Sequence, residues 1–337
     1  MRESFSKQAS KQASKQASKQ ASKRNNNVQI LRAMAIISVV CIHTCGSGKL
    51  GLIVRPFVNF AVGLFIFLSG YLTKLDCINS KIIWKRISRV LFPYVIWTLV
   101  FSVLHRDRNV GYNLLTANQP SIFYFMIVYM ELVVLTPLIL RLAESRFWMV
   151  GFAFTPIMIM LTRYLPYLGV INISDILVRL NCFEWFLYYY LGILIGNGII
   201  HIRDGQRWTI LWILSVALSM IEGLAWQRFF GNADMATSQI RFSSMLNTSV
   251  VCMMASIFAS RNDSGLNQRL ERALIQLGNY SFGIYLVHLV VIGLFSHFHF
   301  KIWQFPLSAI ITLASSVMII YVGREVVDRK ICRLIGF

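Results

Sequence analysis

Residues 31–45 read LRAMAIISVVCIHTC, an apolar run with an arginine at one end and a histidine near the other. A helix needs roughly 20 such residues to cross a hydrocarbon core of about 30 Å. One run of this kind also fits a buried core helix or a signal peptide. Here the pattern recurs to the C-terminus, and spans are expected at 28–45, 57–73, 89–104, 121–140, 147–165, 183–200, 207–225, 243–260, 280–296 and 304–323. Of the 337 residues, 56% are hydrophobic and 14% charged, and the mean hydropathy is +0.59, outside the range of ordinary soluble domains. The expected fold is an all-α integral membrane protein of about ten transmembrane helices.

The net charge of +19 raises the question of nucleic acid. No basic face is interleaved with stacking aromatics outside the apolar runs, so none is expected. Cytoplasmic loops of membrane proteins collect Lys and Arg instead. With the N-terminus inside, the inner segments hold about 23 of these residues and the outer loops about 9, which puts both termini in the cytoplasm. The expected organisation is a cytoplasmic tail over 1–27, a membrane unit over 28–323 and a short basic cytoplasmic tail over 324–337.

Residues Ser6 to Lys23 repeat Ser-Lys-Gln-Ala without variation. The unit is polar, low in complexity and unable to bury a core, so a disordered tail is expected. It lacks the apolar stretch and cleavage site of a signal peptide. Four residues are twelve bases, and the tetranucleotide AGCA read continuously gives AGC-AAG-CAA-GCA, which encodes the same four residues. The tract is therefore expected to slip and switch expression, as phase variation. An in-frame duplication of twelve bases is the alternative, and mixed serine codons in the tract would favour it.

Ionisable groups inside a membrane are costly, usually face a protein interior and mark function. Arg32 and His43 are eleven residues apart, close to three helical turns, and so share one face. His43 is the candidate general base, because imidazole takes a proton from a hydroxyl near neutral pH. Arg32 near the inner interface also fits a snorkelling side chain. In IIWKRISRVLFPY, Lys85, Arg86 and Arg89 stand at the inner surface. Arg86 and Arg89, three apart at a helix start, are expected to converge on one phosphate, although positive-inside charge accounts for them too.

GNYSFGIYLVH, Gly278 to His288, brings Ser281, Tyr285 and His288 into the bundle. Tyr285 and His288 are three apart and share a face. Glu131, mid-span in FYFMIVYMELVVLTPLI, requires a partner in Arg32, His43 or His288, or a proton of its own. Ser69, Gly70 and Tyr71 in FIFLSGYL end the second span near the cytoplasm, where the glycine lets a backbone or ligand approach. The six cysteines lack zinc spacings, and His297 with His299 make no metal site without a third ligand. The cysteines read as packing residues, and nothing beside Cys45 in sequence would activate it as a nucleophile.

In their order and topology, LRAMAIISVVCIH, FLSGYL, WKRISRVLFPY and GNYSFGIYLVH resemble the acyltransferase 3 family over about Gln29 to Arg324, in particular its bacterial lipopolysaccharide and surface-polysaccharide O-acetyltransferases. The resemblance implies a ten-helix enzyme of the bacterial inner membrane. Acyl-CoA, most simply acetyl-CoA, would be the donor, and a sugar hydroxyl of a lipid-linked or membrane-accessible glycan the acceptor, with no bound cofactor. It implies that Arg32 and His43 are the catalytic pair, Arg86 and Arg89 the donor-binding arginines, and Tyr285 with His288 the penultimate-helix motif. Ser69 and Glu131 are expected in support. The fourth span departs from the family, which often has a histidine-leucine-tryptophan sequence where this chain reads SIFYFMIV. The hydrolase-like domain of some relatives is not expected. On this reading the thioester reaches His43 up a central cavity. A transporter or flippase of glycan-lipid precursors is the rival, since intramembrane charge also marks substrate paths.

Overall fold

The computed structural model describes residues 25–75, 79–203, 205–261, 263–297 and 304–337. The repeat tail, Cys77 and His299 lie outside them. The described residues contain no strand. The principal helices are α1 (Asn25–Thr44), α2 (Lys49–Val58), α3 (Ala61–Tyr71), α4 (Ser80–Leu104), α5 (Tyr124–Glu144), α6 (Trp148–Tyr167), α7 (Phe186–Gly196), α8 (Arg207–Phe230), α9 (Phe242–Ser260), α10 (Gln268–His297), α11 (Leu307–Val326) and α12 (Arg329–Ile335). Among the described residues nine segments are long and apolar enough to cross a membrane, α2 and α3 counting as one. Their outer surfaces carry apolar side chains such as Val103, Phe229 and Val326, each more than three-quarters exposed, as lipid-facing positions require.

The sixth expected span, 183–200, is shorter than a crossing. α7 has 11 residues, all of them buried except Ile195. Glycines explain how it is held. A Cβ at Gly70 of α3 would meet the Tyr189 carbonyl oxygen, and one at Gly192 or Gly196 of α7 would meet the carbonyls of Phe67 or Tyr71. Backbone lies against backbone, the close approach that small residues permit between membrane helices. A helix enclosed in this way does not have to match the thickness of the bilayer.

Two other boundaries move in ways that matter for the site. α4 starts at Ser80, where the Asn79 side chain accepts from the Ile82 N–H at 2.9 Å, so Lys85, Arg86 and Arg89 all lie on helix. α2 occupies most of the expected outer loop at 46–56, and the chain bends at Asn59 and Phe60 before α3. α1 and α10 touch where Gly278 faces the Gln29 carbonyl, and at the same end the Asn27 amide donates to the carbonyls of Phe258 and Arg261 at 3.0 and 2.9 Å. The basic stretch after α11 forms α12, which folds back on α4. Trp97 Nε1 donates to the Ile335 carbonyl at 2.9 Å, and Cys332 is buried.

Candidate active site

A cavity of about 480 Å³ opens among α1, α3, α4, α5 and α10. Arg32, Arg86, Arg89 and Lys74 line it, together with Ser69, Thr73, Tyr129, Ser281 and the aromatic rings of Phe65, Phe125 and Tyr285. The structure thus brings Arg32, Ser69, Arg86, Arg89 and Tyr285 to one space.

Arg86 is the most firmly placed of these cations. Its Nη1 donates to Thr73 Oγ1 at 2.8 Å and its Nη2 to Ser69 Oγ at 2.7 Å. Ser69 and Thr73 are four apart at the end of α3, so both hydroxyls project from one face. Thr73 Oγ1 donates to the Ser69 carbonyl at 2.8 Å and lies 3.5 Å from the Tyr189 hydroxyl, which is 2.8 Å from Thr136 Oγ1. The hydroxyls orient the guanidinium without neutralising it. Arg32 and Arg89 make no hydrogen bond to a described residue, and Arg89 is exposed at the rim. Lys74 is turned to the Gly196 carbonyl, 2.7 Å from Nζ.

The imidazoles of His43 and His288 stand together, with ring centroids 5.2 Å apart. His288 is fully buried. Its Nδ1 lies 2.8 Å from the Tyr285 carbonyl and 3.1 Å from that of Ile284. Carbonyls only accept, so Nδ1 carries the proton and Nε2 presents a lone pair, which has no partner among the described residues. His43 is partly accessible and makes no hydrogen bond to a described residue.

Neither histidine lines the arginine cavity, so the continuous chamber expected from sequence is interrupted. The interruption is aromatic. Tyr285 belongs to the cavity wall and lies 5.9 Å from the His288 ring, Phe125 packs against it at 5.5 Å, and its hydroxyl donates to the Ile122 carbonyl at 2.5 Å. Phe65 and Phe125 contact both of the two larger apolar cores of the bundle, which is why their rings fill this level.

A family model described as an acyltransferase domain, acyltransferase 3, matches residues 25–323. The chain belongs to the acyltransferase 3 family. It is a membrane acyltransferase, and the match gives the transporter reading no support. Comparisons with curated proteins and with solved structures find no match.

Within this acyltransferase, Glu131 stands apart. It makes no ion pair with Arg32, His43 or His288, and its carboxyl faces Cys182, with Oε2 buried and unpartnered. Helical geometry gives the reason. Tyr129 of the same helix lines the cavity, and two residues further on a side chain points about 200° away. The ion pair found among the described residues is Arg163 with Glu184 at 2.8 Å, neither of which lines the cavity. Cys45 is buried, its thiol 3.6 Å from the carbonyls of Ile42 and Gly46.

Thr73, Tyr129 and Tyr189 are site residues that sequence reasoning missed. For Thr73 the signal was present, a hydroxyl four residues after Ser69. The two tyrosines gave none, because each sits in an apolar run already rich in aromatics. The SIFYFMIV stretch that departs from the family pattern supplies both the Ile122 carbonyl and the Phe125 ring that hold Tyr285.

Proposed function

We propose that this acyltransferase moves an acetyl group from acetyl-CoA onto a sugar hydroxyl of lipopolysaccharide or another surface glycan, in the bacterial inner membrane. The observation that carries the reading is the cavity where Arg32, Arg86 and Arg89 converge with no acidic partner among the described residues, next to an aromatic layer that separates it from two imidazoles. Guanidiniums held by neutral hydroxyls keep their charge for a ligand, and a phosphate takes it bidentately. CoA brings phosphates from the cytoplasm, the side to which charge asymmetry assigns this end.

The donor's phosphates rest on Arg86 and Arg89, and its thioester passes Tyr285. Arg32 and His43 are separated by roughly 16 Å of helix rise, a distance suited to a long, thin arm. His43 takes the proton of the sugar hydroxyl, the oxygen attacks the thioester carbonyl, and the carbon–sulfur bond breaks. His288, whose unpartnered Nε2 belongs to the ring beside His43, accepts a hydrogen bond from the imidazolium that forms. The proton then goes to the departing thiolate, which leaves as CoA thiol on the inner side.

The test uses membranes from cells with and without the gene, labelled acetyl-CoA and the host's own glycan. Label in the glycan with wild type and none with His43→Ala is expected. Normal label with His43→Ala overturns His43 as base, and no label with wild type overturns the acetyl-transfer reading. Mass spectrometry of the glycan identifies the acyl group and the sugar.

A further inference from the structure

Beyond the histidine pair, at the end of the bundle opposite the arginine cavity, Arg55 has no place in the mechanism above. It lies near the end of α2. Its Nη2 donates to the Ile42 carbonyl at 3.2 Å, next to His43, and its Nη1 to the Thr237 carbonyl at 3.4 Å. Both partners are neutral backbone, Nε is buried without a partner, and no carboxylate among the described residues pairs with it. Gly51 makes room for this arrangement, because a Cβ there would strike the Gly46 carbonyl in the turn between α1 and α2.

Two amides stand beside it. Asn59 Nδ2 donates to the Thr237 and Ser238 carbonyls at 3.3 and 3.1 Å, so Asn59 and Arg55 meet at one oxygen. Asn247 Nδ2 donates to the carbonyl of Pro56, the residue after Arg55, at 3.2 Å. Each amide is 3% exposed, and in each Oδ1 has no hydrogen-bond partner. The amide nitrogens are committed to carbonyls, which fixes the oxygens as the free acceptors. Buried polar atoms are normally satisfied, so free acceptors and a free donor at one place mark a site that water or a ligand completes.

We propose that Arg55, Asn59 and Asn247 form the acceptor subsite, and that the acceptor carries an oxyanion, a carboxylate of an acidic sugar or a phosphate, close to the hydroxyl that is acylated. This rests on the acyl-transfer reading. The guanidinium takes the oxyanion, and sugar hydroxyls donate to the two amide oxygens. Since Arg55 is bonded to the carbonyl next to His43, a ring anchored on it lies within reach of the imidazole.

Binding is tested apart from transfer. The purified full-length protein in detergent is titrated with glucuronate, glucose 1-phosphate and glucose, with its melting temperature as the readout. One or both anionic probes are expected to stabilise it at concentrations at least about 10-fold below glucose, the weight of a charge-assisted hydrogen bond, and which probe acts separates carboxylate from phosphate. Arg55→Gln should lose the preference, and Arg55→Lys should keep it in weaker form. Equal effects of the three probes, or an unchanged preference in Arg55→Gln, overturns the proposal. In the transfer assay, Arg55→Gln should raise the KM for glycan about 10-fold or more while leaving that for acetyl-CoA unchanged. A purely structural role would move both constants, and would overturn the proposal. Failure of the acyl-transfer reading looks different: wild type would show anion preference and no label in any glycan.

Discussion

At one end of the bundle, Arg32, Arg86 and Arg89 line open space, and the best-held of them is oriented by two hydroxyls. At the other, Arg55 reaches into packed surroundings and is held by backbone carbonyls beside His43. Among the described residues, neither end pairs its cations with carboxylates. They differ in what has to move before a ligand arrives. The inner end opens on a cavity, whereas at the outer end His288, Asn59 and Asn247 are buried, with the layer of Phe65, Phe125 and Tyr285 between the two ends. On the proposed function, the donor would bind first and its arm would part the rings before the base is reached. Such closure guards a thioester from water.

The contrast is broken most severely at the base. His43→Ala is expected to lower transfer by about 10²–10⁴-fold, the usual contribution of a positioned base, with protein still present in the membrane. At the inner end, Arg86→Gln should raise the KM for acyl-CoA about 10–100-fold, since it removes a charge-assisted contact. Arg89→Gln should cost less, because Arg89 is exposed at the rim and screened by solvent. Equal effects of the two would mean that the hydroxyl cradle adds nothing. At the aromatic layer, Phe125→Ala should increase hydrolysis of acyl-CoA without acceptor by several-fold, because water then reaches the donor beside His43. An unchanged rate would mean that the layer does not separate the ends.

The sequence carried the fold and much of this contrast. Apolar runs locate the nine segments that are long enough to cross a membrane to within a few residues at most boundaries. The exception, α7, is informative: hydropathy measures whether a run suits lipid and says nothing of a helix enclosed by protein through Gly70, Gly192 and Gly196. Arg32, Arg86, Arg89 and Tyr285 stood out as polar groups in apolar text, and they meet at one cavity. Glu131 stood out by the same rule and points elsewhere, since cost alone does not give the direction of a side chain. The aromatic layer was illegible for the opposite reason. Phe65 and Phe125 look like every other ring in a chain that is 13% aromatic, and only packing gives them a position.

Thr73 offers the finest test, because it acts only through Arg86. Thr73→Val keeps the shape and removes the hydroxyl that accepts from Nη1, leaving Ser69 Oγ on Nη2 and the hydroxyls of Tyr129 and Tyr189 beside the guanidinium. A neutral hydrogen bond is worth about 1 kcal/mol net, which converts to roughly 2–5-fold in the KM for acyl-CoA. The turnover number should hold, since the threonine is distant from the imidazoles along the bundle. In the background of Arg86→Gln the same change should do almost nothing, because the partner it positions is gone. Additive losses in the double variant would mean that Thr73 meets the donor itself, and the inner end would then be a polar surface rather than a cradle for one guanidinium.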